Sequence, residues 1–204
     1  MILEKLVVGP LEVNCYIFGD ENGEVVVIDP GAEGERIIAF IEERGYRPRC
    51  IINTHCHIDH IRANADVKGK YNIPILVHKE DAPILTSPQD AELEEMIGGK
   101  PSPPADRLLS EGDEIKVGSF TLRVIHTPGH TPGGISLLFD DGVFTGDTLF
   151  AGGVGRTDLP GGSWDTLVSS IREKLLVLPD SLPIYPGHGP SSTIGEEKRY
   201  NPFL

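Results

Sequence analysis

Positions 54 to 60 read Thr54-His55-Cys56-His57-Ile58-Asp59-His60, with three imidazoles and one carboxylate packed directly after the apolar run Ile51-Ile52. In extended backbone, residues two apart share a face. His55 and His57 can therefore grip one cation together, while Cys56 points the other way and reads as a small packing residue. Asp59 and His60 lie where the chain must leave a strand, and a turn there swings both toward a second position. This is the layout of a two-metal site, with ions roughly 3.5–4 Å apart. Imidazole nitrogen and carboxylate oxygen suit zinc, and suit iron and manganese too. The expected cofactor is a pair of divalent ions, with zinc as the first choice.

Such a centre needs donors from elsewhere in the chain, and loops at strand ends are where they would sit. Three candidates occupy such places. His130 lies in Thr127-Pro128-Gly129-His130-Thr131-Pro132-Gly133-Gly134, a loop whose proline and glycine content excludes a core element. Asp147 ends the strand Val143-Phe144-Thr145-Gly146. His188 follows the apolar Leu182-Pro183-Ile184-Tyr185 within Pro186-Gly187-His188-Gly189. Singly, each is more often structural; as a set they complete the coordination. His55, His57 and His130 would hold one ion, Asp59, His60 and His188 the other, and Asp147 would bridge them. His78 and His126 are left over, as structural residues or as hydrogen-bonding support for ligands. Asp29 reads as a turn residue, with a bond to a ligand histidine as the alternative.

The elements that must position these donors follow from periodicity. Residues 2–8, 15–18 and 25–28 read as short strands, 33–44 as a helix ended by Gly45, and 51–53 as the strand that delivers the histidine cluster. A helix over 61–71, a strand over 75–77 and a short helix over 79–86 follow. The acidic and then proline-rich stretch 89–106 holds no regular element on this reading and is a candidate flap over the site. Hairpins are expected over 115–125 and 135–145. Ser163 should cap a helix running to Val177 whose buried face is Trp164, Leu167, Val168, Ile171 and Leu175. Strands then helices in each half suggest two β-sheets face to face with helices outside.

Composition narrows the function. With 18 basic against 31 acidic residues, the formal charge of −13 argues against nucleic acid or an anionic membrane as the main partner. The N-terminus lacks a signal-peptide pattern and no stretch reaches membrane-spanning length, so a cytoplasmic protein is expected. Three cysteines without CxxC spacing exclude a disulfide framework. No linker divides residues 1–204, which read as one domain.

The ordered set His55-x-His57-x-Asp59-His60, His130, Asp147 and His188 resembles the metallo-β-lactamase superfamily. That resemblance implies an α+β fold, the αββα four-layer sandwich, with metals at one edge of two mixed sheets. The stretches Gly155-Arg156-Thr157-Asp158-Leu159-Pro160-Gly161-Gly162 and Tyr185-Pro186-Gly187-His188-Gly189-Pro190 are similar to the glyoxalase II branch, hydroxyacylglutathione hydrolases, in its compact bacterial form. Full-length members carry a helical C-terminal domain with much of the glutathione site, whereas 16 residues follow His188 here. No cysteine lies downstream of Cys56 to act as a zinc thiolate ligand.

The chemistry implied is hydrolysis of a small-molecule thioester such as S-lactoylglutathione, with Asp59 and Asp147 fixing the hydroxide and accepting its proton. A leaving thiol of pKa roughly 8.5 departs as thiolate with little acid help, whereas an amide nitrogen would need a proton donor. Arg156 and Lys198, with Arg199 beside it, could pair with a substrate carboxylate, or belong to surface ion pairs. Two other readings remain open: a persulfide dioxygenase using one iron, and a metal-stabilised binding domain with saturated ions.

Overall fold

The structure, a computed structural model, describes residues 1–87 and 91–204. Strands β1 (Ile2–Val8), β2 (Val13–Gly19) and β3 (Glu24–Ile28) form an antiparallel meander. β4 (Arg47–Ile52), β5 (Ile75–His78) and β6 (Arg107–Leu109) extend it in parallel. Parallel neighbours require crossovers. Helices α1 (Gly34–Glu43) and α2 (Asn64–Tyr71) supply the first two, and α3 (Ala82–Leu85) and α4 (Ala91–Ile97) lie in the third. Alternation along β2 sends Cys15 and Ile17 to one face and Tyr16 and Phe18 to the other, and all four are buried. A sheet buried on both faces needs a layer on each side.

The second sheet is built from β7 (Glu114–Val117), β8 (Phe120–His126), β9 (Ile135–Phe139) and β10 (Gly142–Gly146). A small hairpin, β11 (Leu149–Phe150) with β12 (Gly153–Val154), precedes α5 (Trp164–Ser170), which continues as a π turn over Ile171–Leu175. β13 (Pro183–Pro186), β14 (Ser192–Thr193) and α6 (Ile194–Tyr200) complete the described chain. The order is β14-β13-β10-β9-β8-β7, with β13 parallel to β10.

Three apolar layers hold these elements together. Ile28, Ile52 and Leu76 of the first sheet meet Leu122, Val124 and Leu137 of the second. Phe18 lies 4.7 Å from Phe139 and 5.5 Å from Phe144, ring centre to ring centre. Outside the first sheet, Ile37 and Ile41 of α1 and Val67 of α2 cover Ile17, Val27 and Ile51. Outside the second, Leu167, Ile171, Leu175 and Ile194 cover Val143 and Ile184. Each such side chain contributes on the order of 1.5–3 kcal/mol by leaving water. The result is the expected αββα sandwich, and no helix among the described residues is long and apolar enough to cross a membrane.

Four local expectations change. Positions 89 and 90 lie outside the described residues, but the rest of 89–106 is not free of regular structure: residues 91–97 form α4. Glu, Leu and Met favour helix, and the proline and glycine chemistry begins only at Gly98. The stretch after it is pinned, since Arg62 donates to the carbonyls of Gly98 and Gly99 at 2.7 and 3.2 Å. Trp164 is not on the buried face of α5 but 45% exposed at its first turn, edge-on to Phe203. Strand β6 and helix α6 were not signalled, being short and half-polar. α6 is nonetheless anchored by buried Glu197, which accepts from the backbone N–H of Gly152 at 2.8 Å.

Candidate metal centre

Every proposed donor sits just beyond a strand end on the same edge of the sandwich. β4 ends at Ile52, and an extended residue at His57 leads into a single 3-10 turn, Ile58–His60. That turn carries Asp59 and His60. Asp147 follows β10, His130 lies between β8 and β9, and His188 follows β13. The His188 loop is tied to the first sheet: the Asn14 side-chain amide donates to the carbonyls of Pro186 and Gly189 at 2.8 and 2.9 Å. Tyr16 Oη donates to the Pro186 carbonyl at 2.8 Å. A Cβ on Gly187 would stand 2.1 Å from Asp147 Oδ1, so only glycine lets these two loops meet.

The predicted donor atoms fall into two trios, His55–His57–His130 and Asp59–His60–His188, with the atoms of each within 4.8 Å of one another, and Asp29, His55 and His60 form a further such group. In the first, His130 Nε2 lies 2.8 Å from His57 Nδ1 and 3.3 Å from His55 Nε2. In the second, His60 and His188 Nε2 are 3.3 Å apart, and Asp59 Oδ2 lies 3.4 Å from His188 Nε2 and 3.7 Å from His60 Nε2. Tetrahedral ligands about 2.0–2.1 Å from a zinc ion would stand ~3.3 Å apart. Asp147 lies between the trios, its Oδ2 3.7 Å from His130 Nε2 and 3.5 Å from His188 Nε2. Its Oδ1 is buried without a hydrogen-bond partner among the described residues. A buried carboxylate oxygen and converging imidazole nitrogens are groups that a cation would satisfy, so the donor set fits divalent metals.

The far side of each ring shows why those nitrogens face inward. His130 Nδ1 donates to the Arg156 carbonyl at 2.7 Å, and His188 Nδ1 to the Leu11 carbonyl at 2.9 Å. Thr54 gives its hydroxyl proton to Asp29 Oδ2 at 2.6 Å, which leaves its oxygen to accept from His55 Nδ1 at 3.2 Å. Asp29 is thus more than a turn residue. Held at a φ of 50°, it also accepts from the Thr54 N–H at 2.7 Å and reaches to 3.1 Å from His60 Nδ1, in poor alignment. His55, His130 and His188 are thereby each set in one tautomer with the other nitrogen presented to the centre.

Protonation differs between the trios. Burial, and then the neighbouring rings, push His55 well below its ordinary range, and burial and His130 push His57 down to about 3. Those rings stay neutral with lone pairs available. Burial opposes charging His60, yet Asp147, Asp59 and Asp29 together raise it to about 10. His188 is raised as well, burial being outweighed chiefly by its bond to Asp59. Burial opposes ionising Asp59, but His60 and His188 hold its carboxyl well below the usual carboxylate range. The second trio is therefore an anionic pocket that already attracts a positive charge.

Other sequence candidates lie off the centre. Arg156 contributes its backbone carbonyl to His130, while its exposed guanidinium forms a two-pronged pair with Asp158 at 2.7 and 2.8 Å. Lys198 and Arg199 on α6 pair with Asp180 at 3.5 and 3.3 Å. His78 and His126 stack on each other at 4.0 Å, and His126 Nε2 donates to the Pro132 carbonyl at 2.8 Å within the His130 loop. Cys56 is buried, and burial followed by Asp81 and Asp29 pushes its thiol well up, unsuited to ligation as thiolate. Sequence reasoning missed Asn53, whose amide donates to the His60 carbonyl at 3.0 Å, and Asp81. Asp81's partners lie 25 to 52 residues away, and Asn53 reads as the last residue of a strand.

Two sandwiched mixed sheets with histidines and aspartates at one edge define a metal-dependent hydrolase class. Residues 8–188 match the Metallo-beta-lactamase superfamily, and the chain belongs to that family. It is 40% identical over 208 residues to Hydroxyacylglutathione hydrolase GloC of Haemophilus influenzae, covering 100% of this chain and 98% of that protein. That similarity places it in the glyoxalase II-like branch. Among solved structures, BLEG-1 B3 metallo-beta-lactamase is 36% identical with a TM-score of 0.92, covering 100% of this chain and 99% of that one. TTHA1623 in a di-iron-bound form is 37% identical with a TM-score of 0.89, covering 98% and 100%. ETHE1 from Myxococcus xanthus is 33% identical with a TM-score of 0.82, covering 99% and 84%.

Proposed function

We propose that the protein is a hydrolase of small-molecule thioesters such as S-lactoylglutathione, working with two divalent ions. His55, His57 and His130 would hold one ion and Asp59, His60 and His188 the other, with Asp147 within reach of both trios. The single observation that carries this reading is the position of Asp147 Oδ2 between the two trios. Bound there, the ions would supply Lewis acidity toward a carbonyl oxygen and bring the pKa of a water into the neutral range.

The chain's own contribution is positional. Asp59 Oδ2 and Asp147 Oδ2, both beside His188 Nε2, are placed to fix the attacking water and take up its proton. As the water oxygen bonds to the acyl carbon, the C–S bond breaks and the thiolate leaves. The proton held on the aspartates neutralises it. A thiolate with a conjugate acid of pKa roughly 8.5 needs little help to depart. A thioester can release its thiolate before that proton arrives, whereas an amide nitrogen must be protonated as its bond breaks. The similarity to GloC supports the same substrate class. Arg156 would exchange its pairing with Asp158 for a carboxylate of the thiol moiety.

The likeness to ETHE1 and the Gly155-Arg156-Thr157-Asp158 stretch support a second reading, a persulfide dioxygenase with one iron. Metal counting and a substrate panel separate the two. Two ions per chain and thioester turnover that vanishes in His57→Ala are expected. One iron, with oxygen uptake on glutathione persulfide, would replace the thioester reading, and turnover of a β-lactam in place of thioesters would overturn it.

A further inference from the structure

Asp81 is wholly buried at the start of α3 and belongs to neither trio. Three donors from two loops converge on its carboxylate. The Cys56 N–H and the Thr131 hydroxyl donate to Oδ2 at 3.0 and 2.9 Å, and the Gly133 N–H donates to Oδ1 at 2.6 Å. Cys56 is the residue between His55 and His57, and Thr131 adjoins His130. One oxygen thus joins the loop after β4 to the loop after β8, across which His57 Nδ1 and His130 Nε2 stand 2.8 Å apart. The fit is close: a Cβ on Gly133 would lie 2.4 Å from Asp81 N and 2.7 Å from Oδ1.

The other trio hangs on different groups. Asn53 secures the His60 end together with Asp29, which also holds Thr54 beside His55, and Asn14 and Tyr16 secure the Pro186 carbonyl ahead of His188. We propose that Asp81 is a positioning residue for the His55–His57–His130 half alone, setting the separation of its two loops and hence that half's hold on a divalent cation. The consequence for a cation rests on the two-ion reading above; the spacing of the loops does not.

In Asp81→Asn, an amide NH2 replaces one oxygen and faces a hydrogen-bond donor, so at least one of the three contacts becomes repulsive. Thr131→Val removes a single donor and leaves the carboxylate two backbone partners, which keeps the test open if Asp81→Asn does not fold. The first readout is the ring spectrum of metal-free protein labelled with 15N-histidine. The resonances of His57 and His130 should shift in Asp81→Asn and less in Thr131→Val, with His188 unmoved. The second is a zinc titration against a competing chelator. One of two equivalents should weaken about 10–100-fold, the range typical of groups that support metal ligands, and the other by less than about two-fold.

Shifts spread evenly over all five rings, no shift in a variant whose circular dichroism matches the parent, or equal weakening of both equivalents would overturn the proposal. A parent protein that takes up no zinc would remove the claim about cation affinity and the two-ion reading with it. Ring shifts confined to His57 and His130 would still support the positioning role.

Discussion

The two halves of the centre solve the same problem with opposite electrostatics. In the His55–His57–His130 half, burial keeps His55 and His57 neutral and the donors are nitrogen alone. In the Asp59–His60–His188 half, three carboxylates press on His60 and favour a positive charge where a cation would sit. A neutral imidazole cage binds through ligand geometry, whereas an anionic pocket also binds through Coulomb attraction in a low-dielectric edge. Loop spacing should therefore govern the first half, and charge the second.

The strongest contrast comes from removing one nitrogen from each half. Under the thioester reading, His57→Ala and His188→Ala should each lower kcat/KM by roughly 1000-fold, because either loss empties part of a site that acts as a unit. Steady-state kinetics on thioesters checks this. Retention of activity in His188→Ala would mean that the imidazole half works alone.

Chelator treatment of the loaded protein comes next. Two ions whose free concentrations stand a thousand-fold above their dissociation constants stabilise the fold by about 4 kcal/mol each. For a chain of this length, removing both should lower Tm by roughly 16–32 °C. Differential scanning calorimetry of the two alanine variants should show about half that fall in each.

The metal-free protein should carry the contrast into pH. His57 is depressed from 6.5 to about 3, so the unfolded chain takes up a proton first, and its contribution is lost as pH falls from 6.5 toward 3. His60 is raised from 6.5 to about 10, so its contribution is complete below 6.5 and is lost as pH rises toward 10. Urea unfolding across pH 4 to 10 should peak near neutrality. His57→Gln should flatten the acid limb and His60→Gln the alkaline limb.

The smallest effects belong to the exposed cations. Arg156→Ala should raise KM for a glutathione thioester about ten-fold, the loss of one charge-assisted hydrogen bond. Lys198→Ala, whose partner is Asp180, should change KM by less than about two-fold.

Much of this was legible before any coordinates. His55 and His57 do reach one centre, although β4 ends at Ile52 and the chain bends at residues 54 and 55, and the glycine- and proline-rich loops around His130 and His188 follow apolar runs. The α4 helix was hidden because its helix-favouring residues sit beside a proline-rich stretch that dominates the reading of the whole segment. Trp164 was assigned to a buried face by periodicity alone, yet the apolar stripe of α5 begins one turn later, at Leu167. Asp81 and Asn53 left no trace in the sequence, since an aspartate or asparagine beside a strand is ordinary turn chemistry.

Residue order alone settled which groups could ligate and that they stand at the ends of apolar strands, because periodicity and turn chemistry are local properties. Only the packed sandwich decided how those ends face one another. Four loops converge because β4, β8, β10 and β13 are fixed in register within two facing sheets. The rings are aimed by carbonyls and carboxylates from distant parts of the chain. Those contacts span up to 177 residues, from Leu11 to His188, and no local pattern encodes them.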